Sequence, residues 1–88
     1  MADIHITSAI AFARPEGAEA LAALIERSGH AEVARVDAAR GRIVLLLERP
    51  STKAVLDSLD AVRELPGTLA VHLVYQHAED ASVLEETP

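Results

Sequence analysis

Residues 69–75, LAVHLVY, alternate with a period of two: Leu69, Val71, Leu73 and Tyr75 fall on one side, and Ala70, His72 and Val74 on the other. That period is the mark of a strand with one buried face. Residues 4–13, IHITSAIAFA, alternate in the same way, with an even set of Ile4, Ile6, Ser8, Ile10 and Phe12 and an odd set of His5, Thr7, Ala9 and Ala11. Between these strands the period changes. Ala18, Leu21, Ala22 and Ile25, widened by Leu24, keep helical spacing and predict a helix over 16–28, entered at Pro15 and stopped at Gly29. Val55, Leu59 and Val62, joined by Leu56, predict a second helix to about residue 64, capped by Ser51 or Thr52 and ended by Leu65-Pro66-Gly67. EVARVDA at 32–38 reads as a strand of undecided phase, because Val33 and Val36 have opposite parity. RIVLLLE at 42–48 is an almost unbroken apolar strand, as expected where both faces are at least partly covered.

The element order is β-α-β-β-α-β. Two β-α-β halves with short links predict an α+β, ferredoxin-like sandwich. Right-handed crossovers place both helices on one face of a four-stranded antiparallel sheet, with the first and third strands central and the fourth beside the first. The other face carries no helix. Turning the bulky sets inward sends Ile6, Ile10, Phe12, Ile43, Leu45, Leu47 and the Leu69–Tyr75 set beneath the helices. The open face then holds His5, Thr7, Ala9, Ala11, Val44, Leu46, Glu48, Ala70, His72, Val74 and Gln76. A solvated face is expected to be charged, whereas this set is small and apolar at its centre, as at an interaction surface. On this assignment, Leu46→Asp or Ala9→Glu weakens binding without unfolding the chain.

Composition narrows the chemistry. The 88 residues form one domain over 1–78, followed by an acidic tail, 79–88, read as mobile. The tail holds Glu79, Asp80, Glu85 and Glu86 and no base, and the net charge is −6, which disfavours nucleic acid and favours cationic partners. Aromatics are Phe12 and Tyr75 alone, so the core is aliphatic and the sheet lacks the stacking side chains of RNA-recognition domains. There is no cysteine, which excludes disulfides, thiolate metal sites and the CxxC pair of copper carriers, and fits a cytoplasmic protein. No secretory signal pattern or membrane-length apolar run is seen. His5 and His72, without a third ligand, are a poor metal site and are read as surface groups able to hydrogen-bond a bound peptide. Acylphosphatases share the topology but use an arginine and an asparagine; Arg14 is in the first turn, yet the chain has no asparagine. The reading is a non-enzyme with no cofactor.

Specific stretches also resemble a known family. VRELPGTLAVHLVYQHAED is similar to the C-terminal half of NapD proteins, and EVARVDAARGRIVLLLE to that family's strand-turn-strand. ITSAIAFARPEGAEALAALI resembles its first strand and helix more loosely. The resemblance implies a cytoplasmic chaperone of the periplasmic nitrate reductase. It would bind the twin-arginine signal peptide of the catalytic subunit as a helix on the open sheet, delaying export until cofactor loading and folding are complete. The alternative is an ACT-like small-molecule regulatory domain, which shares the topology; its glycine-bearing first turn would be matched by Gly17, one turn late.

Overall fold

A computed structural model describes residues 3–80, with side chains described from Ile4 to Val74. Strand β1 (Asp3–Phe12) leads through a 3-10 turn (Pro15–Gly17) to helix α1 (Ala18–Ser28). Strand β2 (Glu32–Asp37) and strand β3 (Arg42–Arg49) follow, joined by a second 3-10 turn (Ala38–Arg40). Helix α2 (Thr52–Arg63) and strand β4 (Ala70–Asp80) complete the order. The sheet order is β2-β3-β1-β4, with every neighbouring pair antiparallel. This is the βαββαβ arrangement expected from the sequence.

The local signals act where the pattern places them. The Ser51 hydroxyl accepts from the Ala54 amide at 3.1 Å and caps α2, satisfying one of its free N–H groups. Gly29 ends α1 with φ of 74°, in the left-handed region. The α1 stripe of Ala18, Leu21, Ala22 and Ile25 is buried, as is the α2 stripe of Val55, Leu59 and Val62. Leu56, predicted to join that stripe, is 49% exposed on the far side of α2.

Two positions break the simple alternation. In the β2–β3 ladder, Val33 is opposite Leu45 and Arg35 is opposite Val44, so Ala34 is an extra residue. This bulge resolves the conflicting parity of Val33 and Val36: both pack against the core, and Val36 is opposite Ile43. In the β1–β4 ladder, Ala9 is opposite Leu73 and Ser8 is opposite Tyr75, so Val74 is extra. Beyond it the register of β4 is shifted by one, which changes the face each later position shares with β1.

The β2–β3 connection is locked by backbone contact. The Ala13 amide donates to the Gly41 carbonyl at 2.8 Å. Gly41 has φ of 66°, and a Cβ there would lie 1.9 Å from the Ala13 carbonyl oxygen. Gly67, at φ of 94°, has open space around it. Gly41→Ala should therefore combine backbone strain with an overlap against fixed backbone, whereas Gly67→Ala should cost only about 1–2 kcal/mol of strain. Urea denaturation of the two variants checks this. Equal losses would mean that the turn moves away from Ala13 at little cost.

Candidate functional site

The uncovered face of the sheet is built mainly from β1 and β3. On β3 the alternation runs as expected: Ile43, Leu45 and Leu47 are buried beneath the helices, while Val44, Leu46 and Glu48 face away from them. On β1 the expected faces are reversed. Thr7, Ala9 and Ala11 are 0% exposed in the helix-side core, and Ala13 continues them at 6%. His5 is on the same side, its Nδ1 3.4 Å from Thr52 Oγ1 at the start of α2. These four candidate residues do not belong to the open face. The reason is packing density: the layer above β1 is already filled by helix and β3 side chains, and only small residues fit beneath it. An acidic side chain at Ala9 would enter this core, so Ala9→Glu is expected to unfold the chain, not to test binding.

The open face of β1 instead carries Ile6, Ser8, Ile10 and Phe12, all half-buried. Register aligns Ile6 with Glu48, Ser8 with Leu46, Ile10 with Val44 and Phe12 with Arg42. Across the other ladder, Ile10 is opposite His72 and Phe12 is opposite Ala70. Both β4 residues were expected on this face. The Phe12 and His72 rings meet edge-on, with centroids 5.1 Å apart and planes at 63°. Val74, the bulge residue, is 59% exposed and has no register partner. Gln76 is opposite Thr7 in the backbone ladder, out of register with the open set, and its side chain lies outside the described residues. Glu79 and Asp80 continue the strand, while Glu85 and Glu86 lie outside the described residues.

From β2, Glu32 is opposite Leu46 and Arg35 opposite Val44. The result is an apolar stripe of Ile6, Ile10, Phe12, Val44 and Leu46 bordered by charge. The periodicity of β1 had pointed to Ile6, Ile10 and Phe12 as core. The signal for the opposite phase is present in the sequence, in the uniformly small series Ala9, Ala11, Ala13 beside the small α1 residues Ala18 and Ala22. Glu32 and Arg35 were missed because the bulge at Ala34 hid the phase of β2.

One end of this face opens into a cleft of about 470 Å³ lined by residues including Ile6, Glu32, Leu46, Glu48 and Arg49. The Arg49 guanidinium is held by neutral acceptors. Its Nε donates to Ser58 Oγ at 3.1 Å, Nη1 to the Glu48 carbonyl at 3.0 Å and Nη2 to the His30 carbonyl at 2.7 Å. It thus ties β3 to α2 and to the α1–β2 link. Among the described residues, no three or more His, Cys, Asp or Glu side chains gather in a way that would hold a metal ion. No described helix is long and apolar enough to cross a membrane.

A family model for the NapD protein matches residues 4–80. The chain belongs to the NapD family. Chaperone NapD of Escherichia coli K12 is 37% identical over 57 residues, covering 65% of this chain and 63% of that relative. The relatives from Escherichia coli O157:H7 and Shigella flexneri match to the same extent. The aligned stretch thus spans just under two thirds of the curated relatives. The solution structure of the E. coli Tat proofreading chaperone NapD superposes with a TM-score of 0.76 at 28% identity, covering 97% of this chain and 87% of that one. These NapD relatives are named chaperones, and the match does not favour the ACT-like alternative.

Arg49→Gln should lower stability by about 1.5–3 kcal/mol, the usual worth of hydrogen bonds to a charged group, with only part recovered by Arg49→Lys because an ammonium lacks the planar fork. Thermal denaturation followed by circular dichroism checks it, at about 4–8 °C per kcal/mol for a domain of this size. An unchanged midpoint in Arg49→Gln would show that water replaces these bonds without loss.

Proposed function

We propose that this chain is a cytoplasmic chaperone that binds the twin-arginine signal peptide of the periplasmic nitrate reductase catalytic subunit on the open face of its sheet. Binding there delays export until cofactor loading and folding are complete. The observation that carries this reading is the apolar stripe of Ile6, Ile10, Phe12, Val44 and Leu46 on a face without helices. Membership of the NapD family and similarity to a Tat proofreading chaperone support it.

The physical argument begins with the peptide. A twin-arginine signal has a basic start followed by an apolar segment. As an amphipathic helix the segment places its apolar stripe against Ile10, Val44 and Leu46, the helix-on-apolar-surface mode of recognition. Ordering the peptide opposes binding, so apolar burial supplies the affinity and charge supplies the orientation. The open-face side chains are half-buried or exposed in the free protein, so a polar substitution there disturbs the peptide contact more than the fold. The cationic start of the peptide suits Glu32 and Glu48, which no cation pairs among the described residues.

The test is calorimetric titration of the full chain with the synthetic signal peptide and with the same peptide carrying glutamine for both arginines. The arginine peptide should bind, the glutamine peptide more weakly, and Leu46→Asp should weaken binding by about tenfold or more, roughly 1.4 kcal/mol, while keeping a native circular dichroism spectrum. Absence of binding to either peptide would overturn the proposed partner. Full affinity in a folded Leu46→Asp protein would move the site away from this face.

A further inference from the structure

The open face is electrically polar along its length. At one end Glu32 and Glu48 line the same cleft beside Ile6 and Leu46, together with Arg49, whose guanidinium is taken up by Ser58 and by the Glu48 and His30 carbonyls. At the other end are Arg35 and Arg42, aligned with Val44 and Phe12. Asp37 is also at that end, opposite Arg42, with its carboxylate 3.9 Å from Arg40. Among the described residues, neither glutamate pairs with a cation, and neither Arg35 nor Arg42 pairs with an anion. Opposite charges within one small sheet would ordinarily be set across from each other as cross-strand pairs. Asp37 and Arg42 are set so, but Glu32 and Glu48 are opposite Leu46 and Ile6, and the apolar stripe separates them from Arg35 and Arg42.

We infer that the face accepts a helical peptide in one direction only, with its N-terminus over Glu32 and Glu48 and its C-terminus over Arg35 and Arg42, antiparallel to β3. The inference rests on the sheet-face binding proposed above and adds its polarity. Two electrostatic effects point the same way. A pair of basic residues at the start of the peptide meets the two free carboxylates. The helix dipole places its positive N-terminus at the same carboxylates and its negative C-terminus at the arginines. Reversing the peptide would set cations against Arg35 and Arg42 and invert both interactions. The distance is also suitable. From Arg42 to Glu48 the strand rises about 20 Å, the length of a helix of about 13 residues. The fitting occupant is therefore a peptide with two cations followed by roughly three to four turns of apolar helix.

Direction can be read independently of affinity. The chain has no cysteine, so a nitroxide on a single added cysteine of the peptide is the sole label in the complex. With isotope-labelled full-length protein, a label at the peptide N-terminus should broaden the amides of Glu32 and Leu46–Glu48, and a label at the C-terminus those of Arg35 and Arg42. In addition, Glu32→Gln combined with Glu48→Gln should weaken the arginine peptide about fivefold to tenfold at low salt and leave the glutamine peptide within twofold. The reverse broadening pattern, or broadening of both ends from each label, would overturn the fixed direction while leaving sheet-face binding in place. Binding with no broadening on this face would overturn the sheet-face reading and the direction with it, as would no binding at all. Equal weakening of both peptides by the glutamine substitutions would remove the carboxylates from arginine recognition.

Discussion

The thickness of the layer between the sheet and its two helices governs the rest of the structure. Leu21, Ile25, Val55, Leu59 and Val62 descend from the helices, and Ile43, Leu45 and Leu47 rise from β3. Close packing leaves little room above β1, and Thr7, Ala9, Ala11 and Ala13 are what fits. Because a strand alternates strictly, this choice is also a choice about the other side. Ile6, Ile10 and Phe12 must then face away from the helices, and no one-residue slip can bring them back without exchanging the whole set. The apolar open face is thus a direct consequence of how the core is filled.

The topology was readable from the sequence because each element carries its own period and its own stops. Ser51, Gly29 and the Pro66-Gly67 turn mark boundaries by local physics, and the four strands and two helices fall close to where these signals place them. The phase of β1 was not readable by the rule that bulk faces inward. That rule treats each strand alone, whereas the volume of a layer is shared among β1, β3 and two helices. On β3, where both rule and packing agree, Val44, Leu46 and Glu48 were placed correctly. On β1, Thr7, Ala9 and Ala11 were exchanged with Ile6, Ile10 and Phe12. The open face was therefore recognised as apolar while β1 was assigned to it with the wrong residues.

Two bulges account for the undecided phase of β2 and for the shifted register of β4 beyond Leu73, and both occur on the edge strands. At Ala34 the extra residue lets Val33 and Val36 reach one core and turns Glu32 and Arg35 to the open face. At Val74 it lets Val71 remain buried opposite Ala11 while shifting all later pairings of β4. A period-two reading cannot see either event, since it assumes an unbroken phase. Edge strands tolerate such insertions because one side of each ladder is free. The charges that border the apolar stripe thus owe their position on β2 to a single inserted alanine.

Fold and proposed binding consequently draw on different residues of the same strands. The helix-side sets of β1 and β3 are almost wholly buried, and substitutions there act on stability first. The opposite sets are half-buried or exposed, so they contribute less to folding and are free to be chosen for a partner. An apolar surface of this kind is a liability in water unless something limits its self-association. Glu32, Glu48, Arg35 and Arg42 border it with charges that are unpaired among the described residues and oppose close stacking of like ends. Because the two ends differ in sign, however, an antiparallel stack of two sheets would match them. What favours a peptide helix on the proposed reading is shape: a helix of about 10–12 Å diameter can follow the narrow stripe of Ile10, Val44 and Leu46. A second sheet would also have to bury the bordering charges and pay their desolvation.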